Sequence, residues 1–234
     1  MDLGLHVENY LKNIYLLQSH HDRVPTAALA ERLGVSAPSV TGMVRKLARM
    51  ELLVHEPYKG VWLTKQGERV ALKVIRAHRL WELYLVEAVG LSWDQAHVEA
   101  EQLEHTLSDE LAARLDEMLE YPAIDPHGHP IPAQDGSMPS FNGVPLTELH
   151  PGSTGIVLQI WDDTPELLRY LGGLGIYPGE AIAVLAIAPF QGPIHVHVGG
   201  TDQALGREAA CHVVVEMEVE NETEMARSTS FDER

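Results

Sequence analysis

Two stretches of this 234-residue chain carry imidazoles and carboxylates at helical spacing. His78 and Glu82 lie four residues apart, and His97, Glu101, Glu104 and His105 fall at i, i+4, i+7 and i+8. On helices, each set shares one face. Two such helices facing each other offer three imidazoles and three carboxylates, a mixed nitrogen and oxygen set that suits Mn2+, Fe2+ or Zn2+, whereas calcium prefers oxygen alone. Without a cation, so many carboxylates would repel one another and their pKa values would rise. The competing reading is a solvated acidic stripe through Glu99, Glu101, Glu104, Asp109 and Glu110 beside ordinary histidines; the shared face favours the metal. His195 and His197 on one strand face, and His127 and His129 in a Pro- and Gly-rich stretch, have no carboxylate at ligand spacing and are read as structural. Cys211 is the sole cysteine, which excludes an intramolecular disulfide and a zinc site built from thiolates.

A second constellation lies nearer the N-terminus. Ser36, Ser39, Thr41, Gly42, Arg45, Lys46 and Arg49 fall on the outward side of a helix whose inward side is Val40, Val44 and Leu47. Small hydroxyls at the tip allow close approach to base edges, and the cations lie where phosphates would pass. Tyr58 and Lys59, in the turn Pro57-Tyr58-Lys59-Gly60, add a second phosphate contact. Each cation alone is best read as an ordinary solvated residue; together, in the frame below, they favour double-stranded DNA.

The elements that must position these residues are legible from periodicity and caps. Val7, Leu11 and Ile14 predict a first helix to about Ser19. Thr26, as N-cap, opens a second helix that stops at Gly34, and Ser36 with Pro38 opens the third. Leu52–His55 and Val61–Leu63 read as strands of a hairpin, which completes a winged helix-turn-helix. A long helix follows from Thr64 to about Val89, another begins at a Ser92/Gln95 capping box, and a third at Ser108. Short β-type runs at 155–161, 181–187, 194–198 and 212–219 suggest a small barrel or sandwich. The expected fold is mainly α with a small β domain: a DNA-binding domain over 1–75, a helical metal-binding domain over 76–125, a linker over 126–152, a β domain over 153–220 and a disordered tail over 221–234.

Charge is divided the same way. The chain carries a formal net charge of −17, yet residues 1–76 hold 11 Lys and Arg against 7 Asp and Glu, and residues 77–234 hold 6 against 27. A basic head and an acidic body face different partners. No run approaches the roughly 18 apolar residues of a membrane span, so a cytoplasmic protein without a membrane partner is expected. Two other functions compete: a winged-helix regulator that senses an organic ligand, and a helical metalloenzyme. The second lacks the Glu-x-x-His pairs of carboxylate-bridged oxidases, a His-Glu-x-x-His, a phosphate loop and a nucleophile elbow, and no enzymatic activity is expected.

Several stretches resemble the diphtheria toxin repressor and manganese transport regulator family: Glu8-Asn9-Tyr10-Leu11 with Ile14-Tyr15, Ser36-Ala37-Pro38-Ser39-Val40-Thr41, His78-Arg79-Leu80, and Glu101-Gln102-Leu103-Glu104-His105 followed by Ser108-Asp109-Glu110. The resemblance implies a homodimeric, metal-dependent repressor of metal-uptake genes with a winged helix, a helical dimerisation domain and a C-terminal SH3-like domain. It also implies a primary site at Glu101, Glu104 and His105 completed by a first-helix donor, which is Asn9, Glu8 or His6. An ancillary site would use His78, Glu82 and His97, with Asp163 and Glu166 joining from the SH3-like domain. The chain departs from the family in three places: Asn9 replaces a Met or Asp ligand, Lys12 stands where manganese-type members add an acid, and Glu101 replaces the cysteine of iron-type members. A harder site favours Mn2+, with Fe2+ next.

Overall fold

The computed structural model describes residues 4–19, 21–139, 142–161 and 164–217, and the chain divides into two compact units, Met1–Ser140 and Phe141–Arg234. In the first unit, α1 (Leu5–Gln18) buries Val7, Tyr10, Leu11 and Ile14 along one stripe. α2 (Thr26–Leu33) closes on Gly34 at φ 63, a left-handed conformation that glycine adopts without a Cβ clash. Its N-cap is Pro25, not the expected Thr26, which is already helical and caps nothing. α3 (Ala37–Arg49) starts at Ser36, whose hydroxyl accepts the Ser39 amide, and carries Pro38 in its first turn. β1 (Leu53–Glu56) and β2 (Gly60–Leu63) pair antiparallel, Leu53 opposite Leu63. These elements share one core of Leu11, Ile14, Leu29, Val40, Val44, Leu47 and Val61, each aliphatic side chain contributing about 1.5–3 kcal/mol by leaving water.

α4 (Lys65–Tyr84) begins where the Thr64 hydroxyl accepts the Gly67 amide. Gly67 is required there, because a Cβ would lie 1.9 Å from the Leu52 carbonyl oxygen; the start of α4 thus meets the winged domain backbone to backbone. A single π-type turn, Leu85–Val89, extends the helix to Gly90. α5 (Trp93–Leu103) opens with the Ser92/Gln95 capping box, and α6 (Asp109–Met118) is capped by Ser108. The helix expected to run through His105 stops at Leu103, although Glu104 keeps helical angles. Residues 122–139 follow no regular element but are anchored. Ile124 bridges Pro130, Arg76 and Arg79 of α4 donate to the carbonyls of Pro132 and Pro130, and Ile131 packs with Leu80 and Leu83. The stretch read as a linker, 126–152, is therefore divided, its first half packed on α4 because those carbonyls and Ile131 find partners there.

The second unit is a six-stranded antiparallel sheet with short helices. In chain order it contains β3 (Val144–Pro145), β4 (Thr154–Ile160), α7 (Pro165–Gly173), β5 (Ala181–Ile187), β6 (Ile194–Val198), β7 (Thr201–Leu205), α8 (Arg207–Ala210) and β8 (Val213–Met217). The strand order is β3-β8-β4-β5-β6-β7. Ile182 faces Val198 and Val184 faces Val196 across β5 and β6, and their buried side chains form the core with Val157, Ile160, Leu168 and Leu171. Asp163 and the tail 221–234 lie outside the described residues. Among the described residues, no helix is long and apolar enough to cross a membrane.

Candidate functional site

Two candidate ligand clusters draw on α1, α4 and α5. In the first, His78 and Glu82 project from neighbouring turns of α4 toward His97 on α5. Glu82 Oε1 lies 2.9 Å from His78 Nε2 and 2.8 Å from His97 Nδ1, and the two imidazole nitrogens are 3.3 Å apart. A fourth group joins them. His127, read from the sequence as structural, is fully buried with Nδ1 3.4 Å from the same Glu82 oxygen. The loop around it explains how. Asp125 Oδ1 accepts the amides of His127 and His129, Gly128 turns the chain at φ 83, and buried Trp93 stacks on the His127 ring at 5.5 Å between centroids. The sequence signal was the Asp125-Pro126-His127-Gly128-His129 string itself, since an Asp followed by a backbone-bonded turn is a compact loop and not a slack one. Asp125, His127 and His129 form a further group whose ligand atoms lie close together.

Two imidazoles and one carboxylate within mutual ligand reach, with a third imidazole, His127, against the same carboxylate oxygen, fit a divalent ion of intermediate hardness. Electrostatics agree. Burial alone would lower the His78 pKa, but the Glu82 charge and hydrogen bonds to Glu104 and Glu82 outweigh both burial and the Lys12 charge, raising it to about 9. Burial would raise Glu82, yet the His78 and His127 charges hold its carboxyl well below the usual range. Metal-free, His78 therefore keeps its proton beside Glu82, where an ion would place its charge.

The second cluster straddles α1 and the end of α5. His105 Nε2 lies 2.6 Å from Asn9 Oδ1 and 3.2 Å from Glu104 Oε1, while Nδ1 lies 2.7 Å from Glu8 Oε2. Both Asn9 and Glu8 thus approach the imidazole, and His6 is exposed. The Glu104 hydrogen bond, opposed by partial burial and aided by Glu8, raises the His105 pKa. Burial would raise Glu104, but bonds from His105 and His78 and the Lys12 charge hold it far below the ordinary value. Glu101 is not drawn in. Its side chain is 60% exposed, with Oε1 4.0 Å from Lys12 Nζ. The donor set of Asn9, Glu104 and His105 fits a hard divalent ion. His78 joins the clusters, since its Nδ1 lies 2.6 Å from Glu104 Oε2. Glu166, in the first turn of α7, pairs with Arg169 at 3.1 Å and is exposed.

On α3 the buried face is Val40, Val44 and Leu47. Ser36, Ser39, Arg45, Lys46 and Arg49 are exposed, and Thr41 is half-buried with its hydroxyl donating to the Ala37 carbonyl. Tyr58 projects fully from the wing at φ 66, and Lys59 pairs with Glu56 at 3.1 Å. His197, on β6, pairs with Asp202 of the adjacent β7 at 2.6 Å.

Residues 2–61 match the family described as iron dependent repressor, N-terminal DNA binding domain; residues 64–133 match its metal binding and dimerisation domain, and 144–217 the FeoA domain. The iron-dependent repressor IdeR of Mycobacterium leprae is 34% identical over 92% of this chain and 98% of its own length. The chain belongs to the iron-dependent repressor family. The diphtheria toxin repressor of Corynebacterium diphtheriae is 35% identical over 68% of this chain and 71% of its own. A solved structure described as a manganese-dependent transcriptional repressor in complex with manganese is 42% identical, with a TM-score of 0.84 over 91% of this chain and all of its own. Both ligand clusters of this iron-dependent repressor family member involve the dimerisation segment, and the second also reaches into the DNA-binding segment.

Proposed function

We infer that this chain is a metal-dependent, DNA-binding transcriptional repressor that prefers Mn2+ to Fe2+, acts as a homodimer and controls metal-uptake genes. The observation that carries this is the meeting of α1 with Glu104 and His105. α1 is a core helix of the winged domain, so whatever fixes its polar face also fixes the reading head. Asn9, Glu104 and His105, with Glu101, would hold one ion; His78, Glu82, His97 and His127 would hold the other. A bound divalent ion supplies positive charge to carboxylates that otherwise depend on imidazole protons and Lys12. Asn9 and Glu8 then orient α1, His78 keeps Glu104 in place through Nδ1, and Trp93 holds the His127 ring. A sulfur-free donor set favours Mn2+, which sits lowest in the divalent affinity order and binds best through hard oxygens; the solved relative described as manganese-dependent supports that choice. Arg45, Lys46 and Arg49, with the Ser36 tip, Ser39 and Thr41, would face the operator, and Tyr58 and Lys59 the flanking phosphates.

The test is a fluorescence-anisotropy titration of operator fragments with Mn2+, with Fe2+ and with EDTA. Allosteric coupling of ordinary size tightens binding roughly 5–150-fold, with Mn2+ effective at the lower concentration. Equal affinity in EDTA and in saturating Mn2+ would overturn the reading in favour of a regulator that ignores metal.

A further inference from the structure

Lys12 projects from α1 into the ground between the two ligand clusters. The residue is only 8% exposed, and its ammonium touches members of both. Nζ lies 2.6 Å from Glu104 Oε2, 4.0 Å from Glu101 Oε1 and 3.3 Å from His78 Nδ1. Lysine is rarely buried, because its strongly hydrated ammonium loses water unless an anion replaces it. Here the replacing anion is chiefly Glu104, which is read above as a metal ligand.

We propose that Lys12 is a resident cation of the metal centre, competing with the divalent ion for Glu104 and thereby setting the concentration at which the protein responds to metal. The proposal rests on the reading above that Glu104 is a metal ligand. In the metal-free chain the ammonium neutralises Glu104 and holds α1 against α4 and the end of α5. When an ion arrives, the same positive charge opposes it. A unit charge within about 4–6 Å shifts an ionic equilibrium by roughly tenfold or more, and a divalent ion feels it twice as strongly as a proton does. A residue that merely propped the site would act in the opposite direction, since removing it would loosen the ligands and weaken binding. The sign of the change therefore separates the two roles.

The experiment uses the full chain with Lys12→Met, Lys12→Gln and Lys12→Arg, each measured for Mn2+ affinity by calorimetry and for melting temperature in EDTA. Lys12→Met and Lys12→Gln should bind Mn2+ at least about tenfold more tightly while melting earlier without metal. Lys12→Arg, which keeps the charge, should return both quantities toward wild type. Should Lys12→Met fail to fold without metal, the Gln and Arg variants carry the comparison, because both keep hydrogen-bond donors and differ in charge. Unchanged or weaker Mn2+ binding by a folded Lys12→Gln overturns the proposal. Glu104→Gln separates the two possible failures. If it leaves the affinity and the number of bound Mn2+ ions intact, the ligand assignment itself is wrong and the proposal falls with it. If it removes one of the two bound ions while Lys12→Gln fails to tighten binding, only the role of Lys12 is wrong.

Discussion

The cluster around Glu82 and the cluster around Glu104 both combine imidazoles with carboxylates, yet one is closed and the other waits. Glu82 is 1% exposed and is met by three imidazoles that α4, α5 and a braced loop already hold in place. At the other cluster Glu101 remains largely in solvent, and Glu104 and His105 meet donors carried by α1, a helix of the DNA-binding segment. A preassembled site gains little geometry from an ion; a half-assembled one must be completed by it. The first is thus suited to stiffening the helical domain and the second to switching the reading head. His78, which touches both Glu82 and Glu104, lets the stiffened site support the switching one.

The contrast breaks most sharply at Glu104. Glu104→Gln leaves Lys12 buried without its anion, a change that costs about 3–5 kcal/mol, and removes a ligand of the switching cluster. Melting in EDTA should fall by several degrees, and Mn2+ should no longer tighten operator binding. A variant that melts and responds like wild type would mean that α1 is held by something else.

Glu82→Gln probes the closed cluster. An ion at about one hundred times its Kd stabilises a fold by about 2.7 kcal/mol, and this variant should lose most of that gain while keeping part of the metal response on DNA. Complete loss of the DNA response, with the thermal gain retained, would reverse the roles assigned to the two clusters.

Proton competition gives the third test. The protonated form of His78, with its pKa raised from 6.5 to about 9, stabilises the metal-free fold fully below pH 6.5, and that contribution is lost as pH rises through about 9. Glu82 and Glu104, lowered from 4.5, contribute above pH 4.5 and lose that contribution in acid. The metal-free protein should therefore be most stable between about pH 4.5 and 6.5, while ion binding, which needs the imidazole nitrogen bare, strengthens from pH 6.5 to 9. Calorimetric scans with and without Mn2+ should show melting temperatures that diverge over this window; a constant gap would show that His78 releases no proton on binding.

The smallest effect belongs to Glu101→Gln. Because that side chain lies mostly in water, stability should stay within about 0.5 kcal/mol, while half-activation of DNA binding should need about tenfold more Mn2+. An unchanged activation curve would return Glu101 to the solvated acidic stripe.

Much of this molecule was written locally. The stripe of Val40, Val44 and Leu47, the Ser36 and Ser108 caps, the Ser92/Gln95 box and the Gly34 stop are each settled by a few neighbouring residues, because helical period and capping bonds act over one or two turns. The pairing of His78 with Glu82 belongs to the same class. Less legible were α7 and β7, and the segment read as a linker, whose first half is held by partners on α4 far away in sequence. Four features of the candidate site likewise depended on tertiary packing: His127 reaching Glu82, Lys12 entering between the clusters, Asn9 meeting His105, and Glu101 left facing water. No spacing rule reports these, since each depends on how α1, α4, α5 and the 125–131 loop pack against one another. Residue types and helical spacing were enough to pick out His78, Glu82, His97, Glu104 and His105 as potential ligands, but not His127. Which of them meet follows from the packing of α1, α4, α5 and the 125–131 loop, because burial and electrostatic pairing are properties of the assembled core and not of any segment within it.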